Sequence, residues 1–91
     1  MEKVSIQVFS SPGCSKCKQA RKMLQNIVEG FEENHFNWKE VNVLNELDYS
    51  AKMGIVSTPA IVIDDKLVFN KLPTPDELKT YLIKLLQNRA N

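Results

Sequence analysis

The chain has 91 residues, of which 43% are hydrophobic and 25% are charged. This length and composition are typical of one small globular domain, so we expect a single domain over residues 1–91 and exclude disordered, coiled-coil and collagen-like architectures. Twelve basic and eleven acidic residues give a net charge of +1, which excludes the global basic field of a dedicated nucleic-acid-binding protein.

The first predicted element is a β-strand at residues 4–9, ended by a turn-forming cluster at residues 10–13. A helix follows, because apolar residues recur at helical spacing from Cys17 onward. Its apolar face comprises Cys17, Ala20, Met23, Leu24, Ile27, Val28 and Phe31. The second cysteine of the chain therefore lies on the face that should be buried.

Residues 36–43 predict a second strand, but the apolar positions change parity between Trp38 and Val41. We interpret it as an edge strand, and a β-bulge would account for the change in parity. A short helix is predicted next, over residues 45–53, with Asn45 as its N-cap and with Leu47 and Ala51 one turn apart on one face. Gly54 suits the left-handed conformation that ends such a helix.

The unbroken apolar run Ala60–Ile63 predicts a central strand that is covered on both sides. Asp64 and Asp65 predict a tight turn, since aspartate tolerates the positive φ that two-residue hairpins require. The turn leads into a fourth strand, Lys66–Phe69.

A capping box marks the start of the last helix, with Thr74 as N-cap, Pro75 at the first helical position and Glu77 three residues after the cap. Its predicted apolar face comprises Leu78, Tyr81, Leu82, Leu85 and Leu86. The order is therefore βαβαββα. Because βαβ crossovers are parallel and tight hairpins antiparallel, we expect an α/β fold with a mixed four-stranded sheet and helices on both faces.

The two cysteines of the chain, Cys14 and Cys17, form one C-x-x-C motif. Two cysteines are too few for a disulfide-dense secreted scaffold, and a C-x-x-C between a strand and a helix is typical of redox sites. Unpaired backbone N–H groups at the helix N-terminus stabilise an anion, so Cys14 is the predicted nucleophile. Cys17 lies close enough to form a disulfide and is turned toward the core, so it is the predicted resolving cysteine.

Charge is distributed unevenly along the chain. Residues 3–28 contain five basic residues and no acidic residue, whereas residues 29–91 contain seven basic and ten acidic residues. Lys16 and Lys18 lie beside the cysteines, so they are candidates for tuning the Cys14 thiolate, although surface charges usually contribute little.

The motif Cys14-Ser15-Lys16-Cys17 after a first strand, together with Ser57-Thr58-Pro59 before a third strand, resembles the thioredoxin and glutaredoxin superfamily over essentially the whole chain. The chain looks most like the small glutaredoxin-like thioredoxins of bacteria and archaea. The resemblance implies a thioredoxin-like fold with a cis peptide bond before Pro59. It also implies that Thr58 and Pro59 bind substrate, with the Thr58 backbone free to pair with a substrate strand and its side chain replaceable.

The resemblance also implies a thiol–disulfide oxidoreductase that uses a dithiol mechanism, with no cofactor beyond a redox-active Cys14–Cys17 disulfide. We expect disulfide-containing protein substrates and an upstream reductant, either thioredoxin reductase or glutathione. No signal peptide precedes the first strand and no apolar run approaches the roughly 20 residues of a membrane span, so we expect a cytoplasmic monomer that binds neither membranes nor nucleic acid.

A non-enzymatic module is the competing hypothesis, in which Cys14 and Cys17 bind a metal ion or an iron–sulfur cluster in a dimer. Structural zinc normally takes four ligands, and His35 is the only other imidazole or thiol in the chain. We expect His35 to be a solvated loop residue, and we therefore predict no metal site within one chain.

Overall fold

The computed structural model describes residues 3–31 and 35–89, so the polar stretch at residues 32–34 lies outside the described residues. Seven elements follow one another in the predicted order: β1 (Val4–Ser10), α1 (Ser15–Glu29), β2 (Phe36–Asn42), α2 (Leu47–Lys52), β3 (Ala60–Ile63), β4 (Lys66–Phe69) and α3 (Pro75–Arg89). The strands form one sheet in the order β2-β1-β3-β4. β1 pairs with β2 in parallel and with β3 antiparallel, and β3 pairs antiparallel with β4. The predicted mixed four-stranded sheet is confirmed.

Helices cover both faces of the sheet, and each face has its own apolar core. Alternate residues of β1 and β3 pack with α1 and α3 on one face, in a core formed by Val4, Ile6, Val8, Ala20, Leu24, Phe36, Ile61, Ile63, Leu78 and Leu82. On the other face Tyr49 of α2 and Met53, which directly follows this helix, pack against Phe9, Val41, Ala60 and Val62. The two central strands are therefore buried on both sides, as the unbroken apolar run of β3 predicts.

Strand β2 lies at the sheet edge as predicted, but the predicted bulge is wrong. Its pairing with β1 runs without a shift from Phe36 opposite Val4 to Asn42 opposite Ser10. The apolar parity changes because Phe36 and Val41 belong to opposite cores, and Glu40 takes a position where the pattern expects an apolar residue. The register shift in this sheet lies between β3 and β4 instead.

The second helix differs from the prediction at its start and on its buried face. Glu46 occupies the N-cap position and makes no side-chain capping hydrogen bond, so Asn45 is not the cap. Leu47 and Ala51 are exposed, and the helix packs through other residues. The C-terminal end is as predicted: Gly54 has φ +82°, and the N–H groups of Gly54 and Ile55 bind the carbonyls of Ala51 and Ser50 at 3.1 and 3.0 Å, a Schellman motif.

The other local signals are confirmed. Asp64 and Asp65 have φ values of 50° and 64° in the β3–β4 turn. At the start of α3 the Glu77 N–H donates to Thr74 Oγ1 at 3.1 Å and the Thr74 N–H donates to Glu77 Oε1 at 2.9 Å, which completes the capping box. Helix α1 ends at Glu29, before Gly30, so Phe31 packs against the core from outside the helix.

Within residues 3–31 and 35–89, no helix is long and apolar enough to cross a membrane.

Two buried serines differ in their hydrogen bonding, and this difference predicts opposite effects on stability. Ser10 and Ser50 are each 5% exposed. Ser10 Oγ donates to Glu40 Oε2 at 2.8 Å, whereas Ser50 Oγ has no hydrogen-bond partner among the described residues. A buried unpaired hydroxyl is destabilising, and alanine is the better helix former, so Ser50→Ala should raise the free energy of unfolding by about 1 kcal/mol.

Ser10→Ala is the matched control, because it removes a hydroxyl that is equally buried but paired. It should lower the free energy of unfolding by about 1 kcal/mol. Urea denaturation of both variants measures the difference, and an equal loss of stability in both would show that the Ser50 hydroxyl is paired in solution.

Candidate active site

The first cysteine serves as the N-cap of α1. Gly13 has φ +75°, a conformation that side chains disfavour, and it directs the chain from β1 into the helix. Cys14 follows with extended backbone angles, and its Sγ accepts a hydrogen bond from the Cys17 N–H at 3.1 Å. The sulfur therefore occupies the place of a capping oxygen, at the positive end of the helix dipole.

Cys14 and Cys17 form a disulfide across the first turn of α1, with their Cα atoms 5.3 Å apart. The two sulfurs differ in environment, because Cys17 is only 1% exposed and belongs to the core whereas Cys14 is partly exposed at the surface. An incoming molecule therefore meets Cys14 first, and Cys17 can reach only the sulfur of Cys14.

The segment before β3 lies against the cysteines because β3 is the neighbour of β1 in the sheet. The Thr58–Pro59 peptide bond is cis. Thr58 Oγ1 donates to Cys14 Sγ at 3.9 Å and is 2.7 Å from Ser11 Oγ. Ser57 Oγ donates to the Asn70 carbonyl at 3.2 Å, which fastens this segment to the end of β4. The structure thus brings Thr58 together with the cysteine motif.

Sequence reasoning missed one part of this contact. The sequence predicts a replaceable Thr58 side chain and a turn residue at Ser11, yet the two hydroxyls form a chain of hydrogen bonds that ends at Cys14 Sγ. The polar cluster at residues 10–13 was visible, but a contact across 47 positions in the sequence has no local pattern. If Ser11 donates to Thr58, then Thr58 is free to donate to the sulfur.

A cleft of about 470 Å³ opens beside Cys14 on the side of α1 and β2, and its lining includes Lys18, Arg21 and Glu40. The Arg21 guanidinium forms an ion pair with the Glu40 carboxylate, which also accepts the Ser10 hydroxyl. The hydrogen bond from Arg21, followed by the one from Ser10, lowers the pKa of Glu40. This network joins α1 to the edge strand and neutralises one of the cations beside the site.

Lys16 and Lys18 are both exposed in the first turn of α1, which contains no acidic residue. Lys18 lines the cleft together with Cys14, and Lys16 does not belong to its lining. Neither lysine forms an ion pair with a described residue, so their charges add to the positive potential of the helix N-terminus.

The described part of the chain contains no group of three or more histidine, cysteine, aspartate or glutamate residues that could hold a metal ion. His35 is partly buried beside Phe36, with ring centroids 6.3 Å apart, and its carbonyl accepts the Val4 N–H at 2.8 Å. His35 lies in the loop before β2, as expected, with its side chain partly exposed, and its carbonyl joins this loop to the start of β1.

A family profile described as a thioredoxin domain matches residues 4–83. The chain belongs to the thioredoxin family. It is 28% identical over 86 residues to a thioredoxin of Methanocaldococcus jannaschii, a match that covers 94% of this chain and 100% of that protein. It is 32% identical over 82 residues to a probable thioredoxin of Archaeoglobus fulgidus, covering 90% and 89% of the two chains.

The fold of a solved thioredoxin from Halobacterium salinarum superposes with a TM-score of 0.74 at 18% identity, covering 88% of this chain and 72% of that one. The chain matches the thioredoxin family, is similar to the two archaeal proteins and carries a C-x-x-C pair. Together these findings identify it as a thiol–disulfide oxidoreductase. The superfamily that the sequence resembles is confirmed.

The contact between Thr58 and Cys14 predicts an effect on the reactivity of the reduced protein. A thiolate is a better hydrogen-bond acceptor than a thiol, so the Thr58 hydroxyl favours the ionised form. Thr58→Val, which keeps the shape but removes the hydroxyl, should slow the alkylation of Cys14 by iodoacetamide at pH 7 about two- to fivefold. Ser57→Ala is the control, because that neighbouring hydroxyl binds a backbone carbonyl elsewhere. Equal rates for Thr58→Val and the wild type would contradict the contact.

The ion pair at Glu40 predicts a pH-dependent contribution to stability. Because the folded pKa of Glu40 lies below the unfolded value of 4.5, the contribution is complete above that value and is lost as the pH falls through the lower folded pKa. The two side chains are 38% and 36% exposed, so Glu40→Gln should cost only about 0.5–1 kcal/mol at pH 7.

Urea denaturation of the wild type and Glu40→Gln between pH 7 and pH 3 measures this contribution, and the difference should shrink toward pH 3. Glu46→Gln is the control, because it removes an exposed carboxylate that has no ion pair among the described residues. A difference that stays constant over the range would contradict the role of the Glu40 charge.

Proposed function

We propose that the protein reduces disulfides in protein substrates by a dithiol mechanism in which Cys14 attacks and Cys17 resolves. The observation that supports this order is the unequal exposure of the two sulfurs. Cys14 is accessible at the N-cap of α1, and Cys17 is 1% exposed behind it. Only the sulfur of Cys14 is accessible enough to attack a substrate disulfide in line with its S–S bond.

In the reduced protein the Cys14 thiolate attacks one sulfur of the substrate disulfide, forming a mixed disulfide and releasing the other substrate sulfur as a thiolate that takes a proton. The N–H of Cys17 and the hydroxyl of Thr58 are placed to stabilise the Cys14 thiolate. Lys16 and Lys18 contribute a weaker electrostatic effect, because both are exposed to solvent.

In the second step the Cys17 sulfur, as a thiolate, attacks Cys14 Sγ. The Cys14–Cys17 disulfide forms, and the second substrate sulfur leaves as a thiol. The Cα atoms of the two cysteines are 5.3 Å apart in the disulfide, which is within the usual range for disulfides. Two electrons pass to the substrate, and a reductant must then restore the dithiol. The mechanism uses no cofactor beyond the two cysteines.

The segment at Thr58 and Pro59 is the proposed docking point for the substrate main chain. It adjoins Cys14 through the Thr58 side chain and is held by the Ser57 contact to Asn70. An extended substrate segment beside Thr58 would present its disulfide to the outer sulfur. Neither the cytoplasmic location nor the monomeric state rests on this geometry, and both stay predictions.

Cysteine substitution tests the order of attack. Cys17→Ser should accumulate a mixed disulfide between Cys14 and substrate, because the resolving sulfur is missing, whereas Cys14→Ser should neither trap substrate nor reduce insulin in the presence of dithiothreitol. Non-reducing electrophoresis and mass spectrometry measure the trapped species. Equal trapping by both variants would overturn the assignment of roles.

The electron donor is tested separately, by supplying the oxidised protein with either glutathione or thioredoxin reductase and NADPH. Turnover with one donor alone assigns the reductant. Metal analysis of the reduced protein tests the competing hypothesis of a metal or iron–sulfur module: stoichiometric metal with no disulfide reduction would replace the proposed function.

A further inference from the structure

The surface on the two sides of Cys14 differs in chemistry. On the side of α2, a groove of about 420 Å³ is lined by residues that all lack charge: Ser11, Val43, Leu47, Ser50, Ala51, Ile55, Val56, Ser57 and Thr58. On the side of α1, the cleft described above contains Lys18, Arg21 and Glu40. Ser11 belongs to both linings, so the groove and the cleft meet beside the reactive sulfur.

Aliphatic side chains project from the neutral groove into solvent. Val56 is 88% exposed and Leu47 is 64% exposed, although both residue types are usually buried. Leu44, just before α2, is a further large hydrophobic residue that is exposed. Exposed apolar residues gathered at the edge of a concave site mark interaction surfaces, and an uncharged lining favours an uncharged occupant.

A polypeptide fits this groove better than a purely hydrocarbon ligand. Its lining includes the hydroxyl-bearing residues Ser11, Ser57 and Thr58. The amide groups of an extended peptide segment can hydrogen-bond to hydroxyl groups, whereas a hydrocarbon chain cannot. The groove is also continuous with Thr58, the proposed docking point for a substrate main chain.

The cleft on the other side of Cys14 has one cation that is not neutralised locally. Arg21 is paired with Glu40, whereas Lys18 lines the same cleft without an ion pair among the described residues. Lys16 and Lys22 are also exposed on α1, but neither belongs to the cleft lining. An acidic side chain on a bound substrate would be attracted to this cleft, and a basic one would be repelled.

We propose that the neutral groove and the Lys18 cleft select protein disulfides whose cysteine has an aliphatic residue on one side and an acidic residue on the other. This inference rests on the proposed function, because it assigns a substrate class to the same site. Val56 and Leu47 contact the aliphatic side chain, and Lys18 contacts the acidic one. A peptide that carries both residues on the same side of its cysteine fills only one of the two sites.

Short peptides with one central cysteine, joined by a disulfide to 2-mercaptoethanol, test the proposal with dithiothreitol as the reductant. One flank carries Leu or Ser, and the other carries Glu or Lys. The readout is the ratio of kcat/KM between paired peptides, because any effect of a substitution on the Cys14 thiolate itself cancels in that ratio. We expect a Leu to Ser ratio of about five to ten and a Glu to Lys ratio of about three to five.

The two ratios should respond to different substitutions. Val56→Ser should bring the Leu to Ser ratio close to one and keep the Glu to Lys ratio, whereas Lys18→Glu should invert the Glu to Lys ratio and keep the other. Ile83→Ser and Lys84→Glu are matched controls, because both residues are exposed on α3 and neither lines the groove or the cleft. Both controls should keep the wild-type ratios.

Three outcomes would overturn the proposal: ratios near one in the wild type, equal effects of the controls and the site variants, or a Val56→Ser variant whose main effect is to dissociate a dimer in sedimentation. The last would show that a second copy of the chain covers the groove. Bis(2-hydroxyethyl) disulfide, which has no side chains, distinguishes a failure of this inference from a failure of the proposed function. If it is reduced while the ratios are near one, the inference fails alone; if neither it nor any peptide is reduced, the proposed function fails as well.

Discussion

The site depends on one constraint, which is that the atom capping α1 is also the reactive atom. Cys14 Sγ accepts the Cys17 N–H where a serine or aspartate oxygen would normally cap the helix. The cap fixes the first turn of α1, and the geometry of this turn sets the distance between the two cysteines. Because β1 is central in the sheet and its residues belong to both cores, the short turn that leads to Cys14 starts from a rigid element.

Local signals predicted most of the fold, because each one acts within a few residues. The capping box at Thr74 and Glu77, the aspartate turn after β3 and the glycine after α2 all adopt the expected geometry. The start of α2 was predicted less well, since Asn45 has the right side chain for a cap but the helix begins one residue later without side-chain capping. A helix of one and a half turns is positioned by packing, here by Tyr49 against Phe9, and sequence near its start carries little information.

The contacts that sequence could not predict join elements that are distant in the chain. The C-x-x-C motif identifies the cysteines from four residues, but Ser11 meets Thr58 only because β1 and β3 are neighbours in the sheet. For the same reason the sequence does not predict that Glu40 forms an ion pair with Arg21. The change of apolar parity between Trp38 and Val41 predicts a bulge, whereas the strand is regular and Glu40, which lies between them, pairs with Arg21 of α1.

The Arg21–Glu40 pair also decides how the basic segment at residues 3–28 acts on the site. A cluster of cations around Cys14 would attract any anion, including small ones, and would give little specificity. Because Glu40 neutralises Arg21 inside the cleft, the positive charge that remains in the cleft beside the sulfur is carried by the exposed Lys18. The other side carries no charged lining at all. The surface beside Cys14 is therefore positively charged on one side and uncharged on the other. A substrate that crosses it meets different chemistry before and after its own cysteine.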